Sequence, residues 1–347
     1  MVALSEVHSS NEAIPKTLQP DIVAVFVGAT SGIGKASLFH FAQHTRQPRI
    51  YFIGRSQQAA DDILKQLEGI NMDGRYEFIK ADVSLLNVVD EVCSKIREKE
   101  IRIDILFQSQ GTLDISTETT EKLSLVMALG YYSRMRFIAN LLPMLQHSSI
   151  SRVVIVLAGT KEGPVNTNDI PAKRVLPWRA RGHLCSMITL TLEHFAKLAP
   201  EVSFVHDYPG FVDTPLSQSM KGVLGAVMKS VFRVTSLFST REYVSLDETG
   251  ERHVYLATSA RFSSKKPKIL SLQNNSTLLD VVEIAVGSDG AVGSGVYIVD
   301  ENCESGDADV QRVLNTLRRD GIDEKIWEHM EKEFLRTTGK KAMLGEQ

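Results

Sequence analysis

Three glycines, at 28, 32 and 34 in Gly28-Ala29-Thr30-Ser31-Gly32-Ile33-Gly34, are the first residues whose spacing implies chemistry. A short apolar, β-branched run (residues 22–27, IVAVFV) precedes them, and a segment of helical apolar spacing (residues 34–44) follows. A strand–turn–helix of this kind grips a pyrophosphate. Gly28 permits the tight turn, Gly32 lets backbone approach the phosphates, and Gly34 allows close packing of helix on strand. Thr30, Ser31 and Ile33 line the same turn. The helix N-terminus presents unpaired N–H groups and the positive end of its dipole to the anion. A second apolar run, residues 49–53, ends in Ile53-Gly54-Arg55-Ser56. An acidic residue at that point binds the ribose hydroxyls of NAD, whereas an arginine accommodates a 2′-phosphate. Arg55 and Ser56 therefore predict NADP(H) as the cofactor.

These residues need a scaffold that brings strand ends together. Strand-like runs at residues 22–27, 49–53, 76–79, 103–107, 152–157 and 202–206 alternate with helical ones at 34–44, 59–67, 88–99, 122–145 and 184–198. Parallel strands need crossovers, and crossovers of one hand give an α/β, Rossmann-like, doubly wound parallel sheet with helices on both faces. Beyond residue 215 the pattern loosens. Residues 223–238, with Met220 and Met228 nearby, read as an amphipathic helix, either a substrate lid (215–245) or a core or dimer helix. A helix at 248–259, an exposed basic loop at 263–276, a strand at 295–299 and charged helical sequence at 310–337 follow. The expected organisation is an N-terminal arm (1–20), one Rossmann-fold domain (21–300) and a C-terminal helical extension (301–347).

With these motifs in place, the chain resembles the short-chain dehydrogenase/reductase family over residues 22–214. Gly28-x-x-x-Gly32-Ile-Gly34 is similar to its glycine motif. Ala81-Asp82-Val83 is similar to the acidic turn that holds the adenine, and Pro209-Gly210-Phe-Val-Asp-Thr214 to the segment at the nicotinamide end. The resemblance implies cofactor contacts from Asp82, Val83, Gly111, Pro209, Gly210 and Thr214. The phrases 158–163 (AGTKEG) and 204–210 (FVHDYPG) resemble members from fungal secondary-metabolite clusters.

The catalytic half departs from the family. Gln108-Ser109-Gln110-Gly111 stands where the family has Asn-Asn-Ala-Gly, and Leu157-Ala158-Gly159 where its serine lies. Counting back from Pro209-Gly210 puts Arg179 at the tyrosine and His183 at the lysine of Tyr-x-x-x-Lys, and Gly130 near the helical asparagine. Tyr76 to Lys80 does spell that motif, but on strand three, where the two side chains cannot share one helix face. The replacements offer His183 as acid or base, since an imidazole titrates near neutrality. Arg179 and Arg181 offer charge-assisted bonds to an anionic oxygen, and Tyr131 or Tyr132 a hydroxyl. The bland alternatives are a helix-capping His183, a core tyrosine, and Arg134 and Arg136 solvated or paired with glutamates. His206 and Asp207 are strand neighbours and point to opposite faces, so a dyad there is not expected. Cys185-Ser186 lacks a nucleophile elbow.

Composition sets the outer limits. Acids outnumber bases 42 to 39 over 347 residues, a balance with no basic field for nucleic acid or anionic membrane. Three scattered cysteines, Cys93, Cys185 and Cys303, make no disulfide framework or zinc cage, and no metal site is expected. The N-terminus lacks a signal-peptide core, and no run reaches the roughly 20 apolar residues of a membrane span. A cytoplasmic protein is expected, with a homodimer as its candidate assembly. The leading function is an NADP(H)-dependent oxidoreductase acting on an apolar small molecule, with a non-standard catalytic set. The alternatives are a non-redox isomerase, cyclase or dehydratase on the same scaffold, and a non-catalytic dinucleotide-binding protein.

Overall fold

The apolar run at 22–27 becomes strand β1 (Val23–Val27), and all five of its side chains are buried. Val23, Val25 and Val27 join one hydrophobic cluster, while Ala24 and Phe26 join another, as the two-residue period of a strand requires. A strand buried on both faces implies cover on both faces. The computed structural model describes residues 1–216, 243–268 and 282–341. Among them, β1, β2 (Arg49–Gly54), β3 (Arg75–Lys80), β4 (Ile105–Gln108), β5 (Arg152–Val156), β6 (Ser203–Asp207) and β7 (Val296–Val299) form one sheet. Every pairing is parallel, in the order β3-β2-β1-β4-β5-β6-β7. The order reverses between β1 and β4, which opens a crevice at the carboxyl ends of these two strands.

The longer described helices are α1 (Leu4–Thr17), α2 (Gly32–His44), α3 (Gln57–Ile70), α4 (Leu86–Arg97), α5 (Ser133–Gln146), α6 (Pro177–Leu198), α7 (Leu246–Thr258), α8 (Ala308–Arg319) and α9 (Ile322–Thr338). Leu38 and Phe41 of α2, Ile63 and Leu67 of α3, and Val254 of α7 cover one face of the sheet. Val89 and Ile96 of α4, Ile138 of α5, Ile188 of α6 and Phe334 of α9 cover the other. Each fully buried side chain of this size contributes about 1.5–3 kcal/mol.

Four elements differ from the sequence reading. The N-terminal arm is a helix whose Val7, Asn11 and Ile14 are buried at helical spacing; Pro15 and the polar Asn11 hid that stripe. The uniform helix expected at 122–145 enters through a single π-helical turn, Ala128–Tyr132, before α5. Helix α6 starts at Pro177, two turns before its apolar stripe begins. The sequence at 310–337 divides into α8 and α9 because Gly321 adopts a left-handed conformation (φ 64°). The expected lid helix at 223–238 lies outside the described residues, as does the loop at 263–276 beyond residue 268. Among the described residues, no helix is long and apolar enough to cross a membrane.

Buried charge ties the layers together. Asp104 accepts hydrogen bonds from Val23 N–H (2.8 Å) and the Ser148 hydroxyl (2.5 Å) at the amino edge of the sheet. Arg152 donates to Leu256 O and Ser259 O at the C-terminus of α7, where a cation meets unpaired carbonyls. Arg136, placed by sequence among solvated or glutamate-paired arginines, is fully buried and grips Asp90 with two bonds of 2.6 and 2.7 Å. It also donates to Lys340 O and Lys341 O, and its guanidinium lies 5.0 Å from the Phe334 ring. One side chain thereby joins α4, α5 and the end of α9. Replacing Arg136 with Ala leaves Asp90 largely desolvated without its cation and should cost about 3 kcal/mol. Urea unfolding should show this, and a paired Arg136→Met/Asp90→Leu variant should recover part of the loss.

Candidate active site

The glycine turn sits where the strand order reverses. Gly28 has φ 83°, and a Cβ there would lie 2.6 Å from Gln110 N at the end of β4. A Cβ on Gly34 would come 2.7 Å from Gly28 O. Both positions therefore exclude side chains, as the sequence spacing predicts. Ser31 precedes α2 and makes no side-chain cap, so the first N–H groups of the helix are not engaged by it. Ile33 packs on the hydrophobic cluster beneath. Thr30 lies against Gly54 at the end of β2, and the side chain of Thr214 packs on Gly32, 3.3 Å from where its Cβ would be. The structure thus brings the phosphate turn, the end of β2 and the segment after β6 together.

Around this turn the remaining expected contacts fall at the same carboxyl edge. Arg55 is exposed directly after β2, and Ser56 caps α3 by accepting from Ala59 N–H (3.2 Å). Asp82 is exposed after β3 and accepts from both the N–H and the hydroxyl of Ser84. Its neighbour Val83 is buried in the core. Gly111 is exposed after β4, and Pro209 and Gly210 (φ 76°) are half-buried after β6.

The unusual sequence Gln108-Ser109-Gln110 is explained by Arg134. This arginine, read from sequence as solvated or glutamate-paired, is fully buried and is held by main-chain carbonyls. Its Nε donates to Leu129 O (3.2 Å), Nη1 to Gln108 O and Val156 O (3.0 Å each) and Nη2 to Gln110 O. Desolvation lowers the guanidinium pKa to about 9. In return Gln108 Nε2 donates to Arg134 O, and Gln110 Nε2 donates to Gln108 Oε1 and Ser133 Oγ. Ser109 donates to Val27 O and Gly28 O, tying this network to the phosphate turn.

The positions that would handle protons are apolar or occupied. Gly130 lies in the π-helical turn, and a Cβ there would meet Leu184 Cδ2 at 3.2 Å and Leu157 Cδ1 at 3.8 Å. His183 is buried: its Nδ1 accepts from Asn166 N–H (3.1 Å) and its Nε2–H donates to Ile170 O (2.9 Å). Burial lowers its pKa, so the neutral ring anchors residues 166–170 through backbone on both sides. Tyr131 is fully buried, and its hydroxyl donates to Thr191 Oγ1 (2.8 Å), which in turn donates to Met187 O. Tyr132 meets His329 Nε2 at 2.7 Å. Arg179 and Arg181 are exposed on the first turns of α6. His206 and Asp207 do face opposite ways. His206 Nδ1 donates to Thr189 Oγ1 (3.0 Å), whose hydroxyl donates to Glu162 Oε1, while Asp207 meets His253 Nε2 at 2.9 Å. Tyr76, on β3, donates to Asn71 O as a structural residue.

Sequence reasoning missed one pairing at this edge. After β5, Thr160 has φ 68°, an uncommon backbone state for a β-branched residue, and its hydroxyl is buried without a hydrogen-bond partner. The adjacent Lys161 ammonium lies 4.7 Å from the ring of Tyr208, the residue after β6. Separation by 47 positions conceals a lysine and a tyrosine that the parallel β5–β6 register places side by side. The dependence of this edge on Arg134 is testable. Arg134→Met strands four carbonyls and should cost about 3 kcal/mol or more, and Arg134→Lys should recover part of it. Chemical unfolding measures both variants.

Residues 22–168 match the family described as short chain dehydrogenase. An oxidoreductase of Emericella nidulans is 36% identical over 343 residues, covering 95% of this chain and 97% of the relative. The short-chain dehydrogenase/reductase SAT2 of Stachybotrys chartarum is 31% identical, covering 89% of this chain and 90% of its own. Among solved structures, RhlG of Pseudomonas aeruginosa in an active-site complex with NADP aligns with a TM-score of 0.53 at 17% identity, covering 72% of this chain and 93% of that one. At that identity the likeness is one of fold.

Proposed function

Since the chain belongs to the short-chain dehydrogenase/reductase family, we propose that it is an NADP(H)-dependent oxidoreductase acting on an apolar small molecule. The observation that carries this reading is the glycine turn, closed against Gln110 and opening into a helix N-terminus, with the exposed Arg55 beside it. Gly28, Gly32, Gly34, Thr30 and Ser31 would hold the pyrophosphate, Arg55 the 2′-phosphate, Asp82 the adenine side, and Thr214 with Pro209-Gly210 the nicotinamide end. When bound, the cofactor supplies a hydride to the substrate or takes one from it.

The protein's own task is to orient the substrate and manage the proton. Leu157 and Leu184 pack against Gly130 near the carboxyl edge, and this apolar packing supports an apolar substrate. Among the groups gathered at this edge, Tyr208 is our candidate for the hydroxyl that exchanges a proton with the substrate oxygen. Lys161 stands over its ring, 4.7 Å from the centroid. His183, with both ring nitrogens held by backbone, acts as a positioning residue for residues 166–170, and the Tyr131 hydroxyl is engaged by Thr191. Arg179, exposed on α6, remains available to an anionic group at the rim. The likeness of residues 158–163 and 204–210 to fungal secondary-metabolite enzymes supports a place in such a pathway. Gly130 and Leu157-Ala158-Gly159, standing where the family has polar catalytic residues, favour a second reading, non-redox isomerisation, cyclisation or dehydration on a retained dinucleotide scaffold.

Titration of the purified protein with NADPH, NADP+ and NADH, followed by nicotinamide fluorescence and heat, should give micromolar binding selective for the phosphorylated forms. Arg55→Asp should shift that preference toward NADH, and unchanged selectivity would remove Arg55 from the cofactor site. With a carbonyl substrate in hand, Tyr208→Phe should lower the rate about 10²-fold or more while leaving NADPH affinity intact. A rate near wild type would exclude Tyr208 as the proton carrier. Selective binding without any hydride transfer would favour the non-redox reading.

A further inference from the structure

Helix α2 carries His40 and His44 four residues apart, so both imidazoles leave the same helix face. Helix α7 crosses this face at Gly250. A Cβ there would fall onto His40 Cδ2 and lie 3.1 Å from the backbone of Ala36, so only glycine permits the crossing. The approach brings Glu251 onto both rings, with Oε1 2.9 Å from His40 Nδ1 and 3.0 Å from His44 Nε2. The side chains are 14, 12 and 9% exposed, and one ligand atom from each lies within 4.8 Å of the others.

Two members of this group have a further polar partner. Asp247, one turn before Glu251, lies 3.1 Å from His40 Nε2, within hydrogen-bond reach. Asn11 of α1 donates to Glu251 Oε2 (2.5 Å) and to its carbonyl oxygen (2.9 Å). With the His40 hydrogen on Nε2, the Nδ1 lone pair faces a carboxylate oxygen. That Nδ1 has no aligned hydrogen-bond partner, although Glu251 is within reach. A contact this short needs positive charge between the two atoms, which either a proton on Nδ1 or a bound cation supplies.

We propose that His40, His44 and Glu251 bind a divalent transition-metal ion, best Zn2+, with Asp247 as the carboxylate that orients His40. Two imidazoles and one carboxylate are a known zinc ligand set that leaves the fourth position to water. A ligating histidine that passes its other N–H to a carboxylate is the usual supporting arrangement. Magnesium and calcium prefer oxygen ligands and fit poorly. Ligand atoms about 2.0–2.1 Å from zinc stand about 3.3 Å apart, so the two contacts to Glu251 need open only slightly. Along α2, His40 is eight residues from Gly32, about 12 Å. The ion would therefore brace α1, α2 and α7 under the phosphate turn without touching a bound dinucleotide, and the site stands independently of the proposed reaction.

The test uses the untagged full-length protein, stripped of metal and titrated with ZnCl2 by calorimetry and thermal unfolding. One equivalent should bind saturably and raise the melting temperature. His44→Ala, if folded by circular dichroism, should bind zinc at least 100-fold more weakly and lose that rise. As a readout free of substitutions, Cu2+ loaded into the wild-type protein should show nitrogen coupling from two imidazoles in its paramagnetic resonance spectrum. No saturable binding by the wild-type protein, unchanged binding by folded His44→Ala, or a copper spectrum with oxygen ligands alone would overturn the proposal.

Discussion

The carboxyl edge of the sheet depends on a guanidinium buried among carbonyl oxygens. Strand ends expose C=O groups that have no partner in the ladder, and Arg134 satisfies four such groups from β4, β5 and the turn before α5. Desolvating a cation costs several kcal/mol. Four bonds to a charged donor, each worth about 1.5–3 kcal/mol, offset that cost only if all four are made with good geometry. The edge is therefore rigid by necessity. The π-helical turn at Ala128–Tyr132 fits this constraint, since Leu129 is one of the acceptors.

The same constraint accounts for the departures from the family's catalytic pattern. Gln108 and Gln110 bond to the Arg134 network, and Ser109 bonds to the phosphate turn, so this segment is committed to architecture. His183 and Tyr131 are likewise spent on backbone and on Thr191. The same edge also carries a strained Thr160 and the lysine and tyrosine that follow β5 and β6. An edge of this kind holds its cofactor loop firmly and concentrates its chemistry in few groups.

On the opposite face, polar groups also do the joining. Asn11, His40, His44 and Glu251 bind three helices that apolar packing alone would leave free to slide. Asp207 reaches His253 on α7 from the same face of the sheet. Burial raises the Asp207 pKa against the opposing pull of that histidine. Helix α7 is thus held near its middle by two neighbouring polar residues, and Glu251 ties α1 to it.

The doubly wound sheet, the phosphate turn and the position of Arg55 were legible in the sequence because each rests on local physics. Apolar periodicity marks strands and helices, and a glycine is demanded wherever backbone must approach backbone. The N-terminal helix was obscured because its buried stripe is half polar, and Asn11 makes sense only once Glu251 lies opposite. His40-x-x-x-His44 was in plain view as a helical pair, but two imidazoles are not a site until a third ligand arrives from residue 251. Lys161 and Tyr208 are likewise distant in sequence and adjacent in space. The burial of Arg134 and Arg136 could not be read locally, since an arginine's solvation depends on which carbonyls and carboxylates surround it. Sequence determined the frame that binds a dinucleotide. Tertiary structure alone decided which charged and proton-carrying side chains are spent holding that frame, because such groups are defined by their partners and those partners meet only when the sheet closes.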